Sequence, residues 1–341
     1  MKKGTGKNMC IWSVDNTLEE IKSLISLNYD TEFKTLKDSE FSDEDKKRKC
    51  SWTTFHNIIE KEVSDEISVS YIKGNAKIEV ALLPESKWVD RGQLLSKNIR
   101  VTEVSSICMF VRNNSTEKVY CIVEGSKSTE GRIRSNLMRI TDKDQIVNGV
   151  TWNGVNYKNV LNYTYESDFF YWLIYNKNRT INIDGYSFEI EDVKQFMSKE
   201  DRNEGSCQGD GNEVDREIPL MSLMSIDMKL ILLKLKITLN NQSHYCFSFA
   251  YDGRVIIEDT QCIIQQTVGK YDTMDLNKVT LDIYFIILPK LYKQYREDIE
   301  NWQTNKVTFR KKLCFDVIKQ MLVENGIDFD ELAAAVFIVN D

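Results

Sequence analysis

Leu18, Ile21, Leu24 and Ile25 recur at helical spacing within TLEEIKSLISL (17–27), which predicts an amphipathic helix. Thr17 stands at its N-cap and Glu20 at the reciprocal capping-box position. Residues 28–51 are charged and poor in large apolar side chains, and read as a loop or an exposed helix. TTFHNIIEKEV (53–63) predicts a short helix. From residue 67 the period falls to two. ISVSYI and KIEVALL alternate as half-buried strands do, with Gly74-Asn75 as a hairpin turn between them. VSSICMFVR (104–112) and KVYCIVEG (118–125) flank the turn-rich NNSTE and predict a second hairpin. Ile133, Leu137 and Ile140 then place a helix over 128–140.

Residues 142–165 are polar and turn-rich, and mark a domain boundary. SDFFYWLIYNK (167–177) predicts a buried helix capped by Ser167. Asp184-Gly185 sits between alternating segments and predicts a tight hairpin. Residues 198–217 carry seven acids, three bases and three glycines, the pattern of a disordered acidic loop. MKLILLKLKITL, SHYCFSFAYDGRVIIED and KVTLDIYFIIL read as strands, although part of 220–235 fits a helix equally well. After Pro289 the pattern is helical, over 290–302 and 305–325, with Gly326 as the stop and a last helix at Asp330–Phe337.

The 341 residues carry 45 bases and 52 acids, a net charge of -7, with 42% apolar side chains. That balance excludes a wholly disordered chain, and the length suggests two domains at roughly 150 residues each. No fixed-period repeat is present. Runs of strands followed by helices predict an α+β fold of two lobes, each a mostly antiparallel sheet followed by helices. The expected domains are 1–150 and 151–341, the second holding the acidic loop 198–217. No apolar run approaches the roughly 20 residues of a membrane helix, and residues 1–12 lack a signal-peptide core. Eight widely spaced cysteines without CxxC fit reduced thiols. A cytoplasmic protein without membrane attachment is expected.

Candidate chemistry is sparse. His56 and His244 are the two histidines; both read as structural or surface residues, and their scarcity argues against His-rich metal sites. No GxGxxG or GxxxxGK[ST] occurs, and Gly4-Thr5-Gly6-Lys7 follows no strand. Asp192-Val193-Lys194, with Asp184 upstream, has the acid-x-lysine spacing of metal-dependent nucleases, in which acids hold the metal and lysine stabilises charge. Glu85-Ser86-Lys87, with Glu79 upstream, is a second match; Glu20-Ile21-Lys22 and Glu44-Asp45-Lys46 show how readily chance produces the triplet. Mg²⁺ is expected only if such a site operates, and otherwise no cofactor. Cys108 and Cys121 face each other across the second hairpin as a buried thiol pair.

Charge is segregated. Residues 112–139 hold six bases and three acids, with Lys127, Arg132, Arg134 and Arg139 on or beside the predicted helix. Residues 286–320 hold eight bases and four acids, among them Lys290, Lys293, Arg310, Lys311 and Lys312. Such clusters suit phosphate backbones, and Tyr292, Tyr295 and Trp302 are placed to stack bases. The competing reading is a solvated helix whose aromatic residues face the core.

The sheet ending in CIVEGSKSTEGRIRSNLMRI, followed by SDFFYWLIY, resembles accessory proteins of prokaryotic antiviral defence loci over Ile107–Asn176. The resemblance lies in the hydrophobic pattern and transfers no catalytic residue. It implies a cytoplasmic component that binds foreign nucleic acid or a partner subunit. The sequence therefore predicts a non-enzymatic nucleic-acid-binding or adaptor subunit of such a system. A metal-dependent nuclease and a purely structural subunit are the alternatives, and a protein partner or homo-oligomer is expected.

Overall fold

A computed structural model of the chain describes residues 6–53, 57–64, 67–140, 151–199, 206–267, 270–271 and 275–338. His56, part of the glycine motif at 4–7 and the start of the polar stretch, residues 141–150, lie outside these ranges. The fold is α+β with antiparallel sheet. The chain divides into two compact units: Lys7–Tyr163 with Asp252–Arg254, and Thr164–Tyr251 with the chain from Val255. The division falls at Tyr163, some way past the expected residue 150, because the stretch after 150 is bonded to the first unit: Ser13 and Asn156 exchange backbone hydrogen bonds, and the Asn16 side chain bonds Thr151 and Asn153.

In the first unit the main strands are β1 (Lys7–Val14), β2 (Cys50–Thr53), β3 (Ile59–Ser64), β4 (Ile67–Ala81), β5 (Val101–Asn113) and β6 (Val119–Glu124). They run in the order β1-β6-β5-β4-β2, all antiparallel, and β3 shares an edge of β4 with β2. Helices α1 (Leu18–Ile25) and α2 (Lys127–Asn136) contribute Leu18, Ile21, Ile25 and Ile133 to a core with Trp12, Ile72, Phe110 and Cys121. The α1 capping box of Thr17 and Glu20 is present.

Several sequence expectations change here. The segment 53–63 is not a helix: its described part pairs as β2 and β3, and the cross-strand bonds to β4 outweigh local propensity. Gly74-Asn75 is no turn. β4 runs unbroken through it, and Gly74 makes room for Trp52, whose ring would lie 3.3 Å from an added Cβ. In 28–51, expected as a loop or an exposed helix, Asp43–Lys46 is a short helix with no buried residue, but the stretch is not exposed throughout. Phe33 and Leu36 join Trp88 and Val101 in a satellite core. Arg100, wholly buried, stacks 5.2 Å above Trp88 and donates to the Leu95 carbonyl at 2.6 Å and to Asp45 Oδ1 at 2.8 Å.

In the second unit, β7 (Thr180–Ile183), β8 (Tyr186–Lys199), β9 (Ser206–Asp210), β10 (Leu230–Leu239), β11 (Ser243–Ala250) and β12 (Val255–Ile257) run in the order β7-β8-β10-β11-β12, with β9 on the same edge of β8 as β7. The Asp184-Gly185 hairpin is formed as expected. The described part of 198–217 is ordered: Ser206–Asp210 pairs with β8, and Val214 is fully buried. The helices are α3 (Ser167–Tyr175), α4 (Ile218–Ser225), α5 (Leu276–Leu281), α6 (Leu288–Glu297), α7 (Ile299–Asn325) and α8 (Phe329–Ile338). Glu166, not Ser167, stands at the N-cap of α3, with no capping bond from its side chain; the Ser167 hydroxyl accepts from the Leu230 amide.

KVTLDIYFIIL, expected as a strand, is helical. Asp282–Ile287 forms a π turn between α5 and α6, with every residue buried. A segment so rich in apolar residues, its one carboxylate Asp282 buried with the rest, carries little period to separate strand from helix. The wider turn also accommodates Pro289, which has no N–H to donate to residue 285 and would clash with its carbonyl in a regular helix; Leu288 N–H reaches back five residues to Ile283.

Candidate functional site

The nuclease candidates do not share a site. Asp184 lies in the β7–β8 turn, where Lys290 and Lys293 donate to its carboxylate at 2.7 and 2.9 Å. Those two bonds hold its pKa below the usual carboxylate value. Asp192 lies on β8, six residues beyond Tyr186 and so roughly 20 Å along an extended strand from the turn. Its Oδ1 accepts the Glu213 amide at 2.8 Å, and Lys194 stands 3.3 Å from Oδ2. The nearly buried ammonium of Lys177 sits 2.8 Å from Asp215 and 3.9 Å from both Asp192 and Glu213. Lysine thus neutralises these acids. The second triplet is equally engaged: Glu85 accepts from Thr35, and Glu79 from the Lys49 amide and Lys97. Among the described residues no three His, Cys, Asp or Glu side chains converge as metal ligands.

The basic residues fall into two classes. Arg134 is bound to Glu130, which also accepts from Trp12 Nε1 at 3.2 Å, and its guanidinium lies 3.7 Å from the Tyr157 ring centre. Arg139 sits 5.6 Å from the Tyr29 ring centre. Lys290 and Lys293 are held by Asp184; Arg310 is held by Asp227 at 3.2 Å and by the Ser225 carbonyl. These five serve the protein's own fold. Lys127, Lys311 and Lys312 are exposed and Arg132 is half-exposed. The proposed base-stacking aromatics turn inward. Tyr295 and Trp302 are buried, and Tyr292 packs edge-on against Tyr165 and Phe169.

His244 lies on β11, with Nδ1 2.9 Å from Glu191, which also pairs with Lys236. Partial burial of Glu191 opposes its ionisation, but Lys236, Thr238 and His244 outweigh it and lower the pKa. This cluster ties neighbouring strands together on the sheet surface. Cys108 and Cys121 are fully buried on one face of the β5–β6 pair, diagonal across its register. Burial and the neighbouring Cys108 thiol both raise the Cys121 pKa, which makes it a poor nucleophile. A cleft of about 330 Å³ opens in the first unit beside Asp15, Arg112, Glu117 and Lys118. Its two acids and two bases cancel.

The feature that sequence reasoning missed is apolar. α7 buries Trp302, Leu313 and Val317 on one face and Leu322 on another. Around the rest of its circumference Val307 is 57% exposed, Phe315 69%, Met321 47% and Val323 73%, with Cys314 also exposed. The signal was present in the sequence as apolar residues too numerous for one helical stripe. Tertiary packing was needed to show which face stays uncovered. No known protein family matches the chain, and no curated protein matches it. No helix among the described residues is long and apolar enough to cross a membrane.

Proposed function

We propose that the protein is a non-enzymatic adaptor, a subunit that works by holding a protein chain rather than by carrying out a reaction. The exposed apolar face of α7 carries this reading: a large Phe and its aliphatic neighbours in water are costly unless a partner covers them. The self-paired state of Arg134, Lys290, Lys293 and Arg310 removes four of the nine cations that a phosphate-binding surface would use. The resemblance of Ile107–Asn176 to accessory proteins of antiviral loci is what associates such an adaptor with prokaryotic defence.

The test is affinity purification of the tagged full chain from its own cells beside the Phe315→Asp variant. A protein retained by the first and lost by the second is expected; identical profiles would overturn the reading. Titration with DNA and RNA between about 50 and 200 mM salt tests the nucleic-acid alternative, which demands binding that weakens steeply with salt. The expected result is no such binding.

A further inference from the structure

We infer that the partner held by α7 presents an acidic amphipathic segment, its carboxylates set against Lys311, Lys312 and Lys319 and its apolar side chains against Phe315 and the aliphatic residues beside it. The inference rests on the adaptor reading above and names the chemistry of the chain that α7 holds.

The placement of residues round the helix is the first support. Successive residues turn by about 100°. Trp302, Leu313 and Val317, which α7 buries, gather on one side, and Phe315 stands roughly opposite them. Lys311 and Lys319, four residues before and after it, and Lys312, three before, all lie within about 60° of Phe315. All four side chains are exposed. On one flank of this group come the half-buried Ile318 and the exposed Val307 and Cys314, about 60–100° from Phe315. The open arc closes at Leu322, which the chain itself buries. From Val307 to Lys319 it is about 18 Å long at 1.5 Å per residue.

Charge supplies the second support. Lys306 and Arg310 point toward the buried side and are bound by Asp168 and Asp227. Among the described residues no carboxylate forms an ion pair with Lys311, Lys312 or Lys319. The one acid within a turn of Phe315 is Asp316, which stands about 100° round the helix from it. The arc therefore holds three unneutralised cations round an exposed aromatic ring, and its electrostatic complement is an acidic surface.

The same layout separates an acidic protein segment from other anions. A helix that lies in a membrane surface carries a continuous apolar stripe edged by cations; here the cations surround the aromatic residue and the aliphatic ones lie to one side. A nucleic-acid strand is tracked along a basic groove, whereas α7 offers the surface of a single helix, and Val307 and Cys314 give a phosphate nothing to bind. An amphipathic acidic segment uses both halves of the arc. Its apolar side covers Phe315 and the aliphatic flank, its carboxylates meet the lysine ammonium groups, and the lysine stems add apolar contact.

The test selects random phage-displayed peptides of about 15 residues, long enough to span the arc as one helix, on the purified full chain. The recovered peptides should be net acidic and rich in large apolar residues. As synthetic peptides they should bind less tightly by several-fold as salt rises from about 50 to 200 mM. Phe315→Asp should weaken them by roughly tenfold or more. The triple variant Lys311→Glu, Lys312→Glu, Lys319→Glu, which keeps the helix surface charged and the fold intact by circular dichroism, should do the same. Lysines that only keep the helix soluble would leave binding unchanged in that variant.

A selection that returns neutral or basic peptides, or none that depend on the three lysines, overturns the inference. So does binding of DNA, RNA or phosphatidylserine-containing vesicles by the unaltered chain that the triple variant loses, because the lysines then serve phosphate. In the capture experiment above, a cellular partner lost by Phe315→Asp but kept by the triple variant would leave the adaptor reading standing and remove the acidic assignment alone.

Discussion

Arg100 shows how a single side chain can organise a region that its sequence neighbourhood leaves undefined. Its guanidinium is fully buried, stacked on Trp88 and bonded to Asp45 and to the Leu95 carbonyl. Arg100→Ala removes the stack and leaves those acceptors without their donor, so a loss of about 2–4 kcal/mol is expected in urea unfolding. Arg100→Lys should recover only part of it, because an ammonium cannot reproduce the planar fork. The thiols behave as a second residue-scale set. Burial raises Cys50, Cys246 and Cys262 from the ordinary 9.0 to about 11. The unfolded thiols ionise near pH 9 while the folded ones stay neutral. Their contribution is therefore intact below pH 9 and lost as pH rises through about 11. Urea midpoints at pH 7, 9 and 10.5 should fall in that order. A thiol reagent at pH 8 should label the exposed Cys314 first and the half-buried Cys207 next, with the other six protected until the chain unfolds.

At the scale of elements, β9 tests the order found in the acidic segment. Gly209 pairs with Phe196, whose ring would lie 2.5 Å from an added Cβ. Phe196 is itself fully buried. Gly209→Ala should cost about 1–3 kcal/mol through overpacking, and should speed amide exchange in Ser206–Asp210 more than in β10. Elements with one clean period were readable from sequence: α1 with its capping box, the β5–β6 hairpin, the Asp184-Gly185 hairpin and the stop at Gly326, which has a positive φ of 67°. Those that failed had competing explanations. β4 contains a glycine kept for the approach of Trp52, and the π turn buries every residue, Asp282 included. The segment 28–51 carries its few apolar anchors among charges, and only the satellite core reveals their use.

For the whole molecule, charge counts proved a poor guide to surface chemistry. The two basic clusters are real in sequence, yet Lys290 and Lys293 are claimed by Asp184, more than a hundred residues away, and Arg310 by Asp227. Asp184→Asn should therefore lower the melting temperature by loosening α6 from the β7–β8 turn, with no gain of phosphate binding. The effect of this exposed ion pair should shrink as salt is raised. Composition, periodicity and turn chemistry, which act over a few residues, were sufficient to determine an α+β chain with antiparallel strands and a helical end. Which carboxylate neutralises which cation, which apolar segment coils and which helix face remains uncovered are long-range outcomes of packing. Tertiary structure alone decided them, because each depends on partners that the linear order does not bring together.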